Sequence, residues 1–255
     1  MNGTRYFLKL AYNGSSFHGW QSQINAHTVQ KELENCLSLI LQNKEISVTG
    51  AGRTDTGVHA RVFYAHFDYY ILLTATELKH LMYRLNHVLP DSIAVQEIFA
   101  VKSDVHARFS AISRTYRYYI CRTYDPFAVG MSYKYTVPLN IELMQKAAIL
   151  IKDYTDFTCF AKTGTQTTTN ICTIYESEWV QEGNMLIYKT KANRYLRNMV
   201  RAMVGTLIDV GKEKLTLAEF TKILQNGTRS DAGQSVPACG LFLEDVEYPD
   251  DIRLL

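Results

Sequence analysis

Thr74-Ala75-Thr76-Glu77 has the layout of a capping box, in which a threonine and a glutamate three residues on satisfy the orphan N–H groups that open a helix. Leu78, Leu81, Met82 and Leu85 follow at helical spacing. Thr28 can cap a second helix with Val29, Leu33, Cys36, Leu37 and Ile40 inside, and Thr216-Leu217-Ala218-Glu219 caps another ending near Asn226-Gly227. Between these helices lie runs rich in β-branched and aromatic residues. A chain in which capped helices keep interrupting strands can be neither an all-β barrel nor a helical bundle.

The strand candidates complete the order. Lys9 to Tyr12 ends at the turn pair Asn13-Gly14, Ile46 to Ala51 leads into a glycine-rich loop, and Val62 to Asp68 and Ser92 to Ile98 follow. The first half therefore reads βαββαβ, the ferredoxin-like arrangement. In the second half we expect a strand at Thr115 to Cys121 and a helix from about Ile141 to Lys152. A hairpin then joins Cys172–Val180 to Met185–Ala192 through Glu182-Gly183, and Leu241 to Val246 is a last strand. One further helix carries Leu196, Met199, Val200, Met203, Val204 and Leu207 on one face, with Arg194, Arg197 and Arg201 in a row beside it. The expected fold is α+β: two ferredoxin-like (RRM-like) halves, residues 1–105 and 106–255, with largely antiparallel sheets meeting at a central cleft.

Composition narrows the class. A hydrophobic content of 47% and a charged content of 20% are those of a soluble globular protein, and no apolar run approaches a membrane span. The start, Met1 to Tyr6, lacks the layout of a signal peptide. Five scattered cysteines without a CxxC point to a reducing cytosol rather than a disulfide framework or zinc site, and no histidines stand at metal-ligand spacing. Net charge is only +2, but its distribution is uneven. Val105 to Tyr124 holds Arg108, Arg114, Arg117 and Arg122 and no acid, and Gly183 to Ile208 holds five basic residues and no acid. Such segregation suggests one basic face, although two solvated surfaces account for it equally well until aromatics are counted.

Asp55 is the only acid between Ile46 and Phe67, on the loop Gly50-Ala51-Gly52-Arg53-Thr54-Asp55-Thr56-Gly57-Val58-His59-Ala60. Arg53, His59 and Arg61 bring potential positive charge to it. A lone ionised carboxylate on such a loop suits a nucleophile; it equally suits a turn-forming hydrogen-bonder. A half-buried Arg201 wants a carboxylate, and Asp55 is a candidate. At ~4 Å and an effective dielectric of about 20 that pair is worth roughly 4 kcal/mol. Tyr116, between Arg114 and Arg117, can pack within a sheet or stack on a base. Trp20 is expected to pack under the loop, and His59 and His106, without identifiable partners, to be structural.

Gly52 to His59 resembles the signature of the tRNA pseudouridine synthase A family. Tyr12-Asn13-Gly14, Phe17 to Gln21, Leu89-Pro90, His106 to Ala111, Tyr116-Arg117-Tyr118, Leu196 to Arg201 and Gly240 to Leu243 are similar to further family segments, in family order. The departures are Thr56, where many members carry alanine, and Arg61-Val62-Phe63, in place of a smaller stretch. The resemblance implies a cytoplasmic, homodimeric isomerase that converts uridine to pseudouridine at positions 38 to 40 in the anticodon arm of tRNA, without cofactor or metal. It implies that Asp55 is the nucleophile, Arg201 its basic partner and Tyr116 the residue packed on the target base. Arg53 would fill the gap left by the flipped nucleotide and Leu241 would wall the base pocket. Arg108, Arg114 and Arg197 are the expected further RNA contacts.

Two rivals remain from the residues alone. Asp55-Thr56-Gly57 spells the aspartic protease triplet, but the other Asp-x-Gly, Asp231-Ala232-Gly233, lacks the hydroxyl residue, and capped helices contradict an all-β protease. A non-catalytic RNA-binding module built on paired βαββαβ units is the stronger competitor.

Overall fold

The computed structural model describes residues 3–42, 46–162, 164 and 168–254; the reading of Met1 and Asn2 lies outside them. The backbone packs as two units: Met1–Ile112 with Leu243–Leu255, and Ser113–Phe242. The expected division stood between residues 105 and 106; by packing, the first unit keeps the chain to Ile112 and takes back the carboxyl-terminal segment.

The first unit runs β1 (Thr4–Tyr12), α1 (Val29–Leu41), β2 (Thr49–Gly50), β3 (His59–Tyr69), α2 (Ala75–Val88) and β4 (Ile93–Val101). This is the expected order of elements. β1 pairs antiparallel with both β3 and β4, and β2 with β3. Helix α1 is capped by Thr28, which accepts from Lys31 N, and buries the five apolar residues read from its spacing. The Thr74/Glu77 capping box forms in full, although of the four apolar positions in α2 only Leu81 and Leu85 are fully buried.

The expected strand Ile46–Ala51 shrinks to Thr49–Gly50. Side chains of α1 take its hydrogen bonds instead: Val48 N donates to Glu34 Oε1 at 3.1 Å, and Gln30 Nε2 donates to Val48 O at 2.9 Å. With those groups satisfied, the segment has less need of a ladder partner. The carboxyl-terminal segment joins this unit through its aromatic core. Tyr248 stands edge-on to Phe7 (5.3 Å) and Tyr64 (5.1 Å), beside Phe99, Val101, Val105 and Ala107.

The second unit holds β5 (Ser113–Cys121), β6 (Tyr133–Lys134), α3 (Ile141–Leu150), β7 (Ile174–Glu182), β8 (Met185–Ala192), α4 (Met199–Gly211) and α5 (Leu217–Asn226). β8 pairs antiparallel with β5 and β7, while β6 pairs parallel with β5. Gly183, at φ 58, makes the hairpin turn between β7 and β8. β9 (Leu241–Glu247) carries the chain from the second unit back into the first. Mixed α/β structure with mostly antiparallel pairing is therefore what this sequence forms.

One expected helix is corrected. It begins at Met199, not near Arg194, because Asn198 adopts φ 65 and ψ 4, a left-handed conformation that a right-handed helix does not accept. Arg194 and Arg197 lie in the loop before it, so the arginine row along one helix edge does not exist. Arg201 alone of the three is helical.

Candidate active site

The Asp55 loop joins β2 to β3, and the segment after β1 holds it in shape. Thr54 is buried, its hydroxyl 2.9 Å from that of Tyr12, and its carbonyl accepts from Trp20 N at 3.2 Å. Gly57 N donates to Phe17 O (3.3 Å), and Val58 N closes a turn on Asp55 O (3.1 Å). His59 is buried and accepts from Gly14 N at Nδ1, 3.1 Å away, so the partner the sequence did not reveal is a backbone amide.

Glycines allow this close approach. Gly19 has φ +87, and a Cβ there would lie 2.5 Å from Thr54 O; at Gly14 a Cβ would overlap the carbonyl of Val58. Gly50 makes room for Trp20, whose ring stacks on Phe63 at 4.1 Å beneath the loop, as expected. The space beside Gly52 is open. The motifs at 12–14, 17–21 and 52–59 thus form one clasped structure, with Asp55 half-buried and Arg53 exposed upon it. Arg61, on β3, pairs with Glu244 at 3.3 Å.

The same unit carries Arg108 on a second shaped loop. His106 Nδ1 accepts from Arg108 N (3.0 Å) and Phe109 N (3.3 Å), and the His106 backbone N–H donates to Ser110 Oγ (2.9 Å). Ala107 N donates to Nδ1 of buried His66 at 3.1 Å, and Tyr248 Oη donates to Ala107 O. Burial, with Arg5 and His106 close by, lowers the His66 pKa to about 4, so the ring stays neutral and accepts. What this loop presents is Phe109, 75% exposed, with the Arg108 guanidinium 5.5 Å from its ring centre. Neither His66 nor Phe109 stood out in the sequence, although Phe109 lies in the His106 to Ala111 segment.

In the second unit, Tyr116 lies on β5 opposite Thr190, and its ring meets that of Tyr195 edge-on at 5.1 Å. Tyr195 is anchored by its hydroxyl, 3.0 Å from Thr190 Oγ1. Strand alternation puts Arg114 on the side of Tyr116 and Arg117 on the other face, where Arg117 approaches Glu182 at 3.9 Å. Arg114 Nη1 donates to Asn193 O at 2.8 Å. Arg122 is committed to the backbone, donating to Tyr135 O and Val137 O.

Arg201 is half-buried on α4. Its Nε donates to Val236 O at 2.8 Å while its carbonyl accepts from Val236 N at 3.2 Å. Burial raises the pKa of Tyr118 and of Cys239, and at both the Arg201 charge pulls the other way. Tyr118 Oη donates to Pro237 O at 2.8 Å, and a Cβ on Gly240 would lie 2.8 Å from the Tyr118 ring. Leu241, buried, follows at once. Arg197 is exposed. Among the described residues, no group of three His, Cys, Asp or Glu side chains is placed to hold a metal ion.

A family model described as tRNA pseudouridine synthase matches residues 154–249. A protein named tRNA pseudouridine synthase A from Azobacteroides pseudotrichonymphae is 46% identical over 246 residues, covering 96% of this chain and 97% of its own. The protein of that name from Bacteroides fragilis is 44% identical over 253 residues, with 99% of each chain covered, and that from Parabacteroides distasonis is 44% identical with 97% of each. The chain belongs to the tRNA pseudouridine synthase A family. It is thus an isomerase, and the resemblance read from scattered motifs holds over nearly the whole length. The family model takes in Arg197, Arg201 and Leu241; Asp55, Arg53, Arg108, Arg114 and Tyr116 lie before it, within the span of the full-length relatives. Among the described residues no helix is long and apolar enough to cross a membrane.

Proposed function

We propose that this chain isomerises uridine to pseudouridine at positions 38, 39 and 40 in the anticodon stem-loop of tRNA. The supporting observation is identity of 44–46% with proteins named tRNA pseudouridine synthase A across 96–99% of the chain. In this reading the target nucleotide is flipped out, at a cost of a few kcal/mol that stacking and phosphate contacts offset. The bond from ribose C1′ to uracil N1 breaks, the base turns, and C1′ bonds to C5. The proton on C5 leaves and N1 gains one, so the product is an isomer.

Breaking the glycosidic bond puts positive character on the sugar carbon, and the Asp55 carboxylate is its nucleophile. Arg201 is the basic partner of that carboxylate, and Tyr116 packs on the uracil and takes the C5 proton. Arg53 enters the gap in the stack and Leu241 walls the base. Arg108, Arg114 and Arg197 bind the RNA backbone. No cofactor or metal takes part in this scheme. The two-domain reading, with ferredoxin-like halves, a homodimer and a cytoplasmic setting, belongs to the same proposal.

Asp55→Asn tests it. Conversion, read by sequencing tRNA after a pseudouridine-specific reagent, should fall by at least about 10⁴-fold, the scale of losing a nucleophile. Binding of tRNA should persist. Normal turnover by this variant would refute the assignment, and wild-type protein that converts no uridine would leave the RNA-binding module in its place.

A further inference from the structure

We propose that Arg229 is a positioning residue that fixes Arg201 through the strap 228–237, an inference that rests on the synthase reading given above. The strap follows α5 and crosses α4 at its most constricted point. A Cβ on Gly205 would overlap the carbonyl oxygen of Gln234, and a Cβ on Gly233 would lie 2.8 Å from Thr206 N. Gly233 N donates to Thr206 Oγ1 at 2.9 Å. Two glycines therefore let strap and helix touch backbone to backbone, one turn of helix beyond Arg201.

Arg229 closes the strap from within. Its Nη1 donates to Gly233 O at 3.1 Å and to Ala232 O at 3.4 Å, and its Nη2 to Ser235 Oγ at 2.8 Å. Ser235 Oγ also accepts from Nδ2 of Asn198, the left-handed residue before α4. The next residue, Val236, makes the two-way exchange with Arg201: Nε to Val236 O, and Val236 N to Arg201 O. One half-buried guanidinium thus holds closed the strap whose Ser235 and Val236 bond the two ends of the first turn of α4. An arginine side chain has four rotatable bonds and loses rotamer entropy when it is held. The strap holds Arg201 by its Nε.

The fork geometry suits only arginine, because a lysine ammonium cannot span carbonyls and a hydroxyl in one plane. Arg229→Ala should lower kcat by about 30-fold with KM for tRNA within about two-fold, since loss of alignment acts on the chemical step. Arg229→Lys should remain impaired, and added guanidinium ion should restore much of the Arg229→Ala rate. Gly205→Ala, which pushes the strap off α4 with Arg229 intact, should give the same kinetic split, and the two changes together should cost little more than either alone. Exchange of the Arg201 Nε–H, assigned by its loss in Arg201→Lys, supplies a readout independent of turnover and should quicken at least about tenfold in Arg229→Ala. Unchanged exchange would overturn the proposal, and so would quickened exchange with normal kcat. Wild-type protein without synthase activity would strike the chemistry instead, leaving the exchange comparison to decide the strap.

Discussion

The Asp55 loop and the Arg201 region are built in different ways. The Asp55 loop is held largely by main chain: Trp20, Gly57 and Val58 donate backbone N–H groups, and the side chains of Tyr12, Thr54 and His59 add to them. Arg201 is held by a strap whose shape depends on side chains, Arg229, Ser235, Asn198 and Thr206. A loop fixed by main-chain contacts through glycines resists changes in side-chain identity yet fails when a Cβ is added. The strap also touches α4 through glycines, but its shape depends on side-chain hydrogen bonds as well, so it should fail either to an added Cβ or to the loss of one such bond.

The comparison is broken most severely at the end of the strap. Arg201→Leu removes the guanidinium that the strap exists to hold and leaves Val236 O without its donor. We expect the rate of conversion to fall by about 10³-fold, comparable to removing a preorganised charged donor from an active site. Thermal melting should report a smaller change, of about 1–2 kcal/mol for the lost hydrogen bond and packing. Survival of both rate and stability would show that Arg201 is not the partner of Asp55.

Gly19→Ala is the matching test for the loop. The left-handed conformation costs an L-residue roughly 1–2 kcal/mol, and the new Cβ must also displace Thr54 O. A shift of about 1 Å at Asp55 costs on the order of 10²-fold in rate. Gly52→Ala, beside open space, is the control and should leave stability within about 0.5 kcal/mol. If Gly19→Ala turns over normally, the loop is not held by the segment after β1.

These two regions also show what was legible in the sequence. Capping boxes, helical spacing and the Glu182-Gly183 turn are local, and the elements they announced formed within a few residues of the expected bounds. The Asp55 motif was legible because its residues are contiguous. Three things were not. The strand before Asp55 shortened because Gln30 and Glu34, far away in sequence, took its hydrogen bonds. The helix start moved because one residue, Asn198, took a conformation that its identity permits but does not announce. The strap was invisible because Arg229, Ser235 and Gly205 form no motif until α4 and the strap meet.

A pH titration separates the second shaped loop from both regions. His66 is neutral in the folded protein with a pKa of about 4, against an ordinary value of 6.5. Protons therefore favour the unfolded chain, so the contribution of His66 is complete above pH 6.5 and is lost as pH falls toward 4. Between pH 7.5 and pH 5 the loss from this residue alone is about 2 kcal/mol. Urea unfolding at the two values should show it, and His66→Gln should flatten the difference by that amount. An equal fall in the variant would assign the acid sensitivity elsewhere.

The smallest expected effect concerns Phe109. A loop shaped by five hydrogen bonds among His66, His106, Ser110 and Tyr248 holds Phe109 largely in water, where its ring meets His106 and the Arg108 guanidinium and gains little apolar burial. A base stacked on that ring beside the Arg108 cation would contribute about 1–3 kcal/mol, less whatever the loop retains when the ring is cut back. Phe109→Ala should therefore weaken tRNA binding by about five-fold at fixed salt, with kcat and melting temperature essentially those of the wild type. Arg108→Ala should instead reduce the salt dependence of binding, by about one in the slope of log K against log salt for one lost phosphate contact. Phe109→Ala that lowers kcat at saturating tRNA would move the residue from the RNA-binding surface into the machinery around Asp55. That outcome would erase the contrast between the loop proposed to do chemistry and the loop proposed only to hold the substrate.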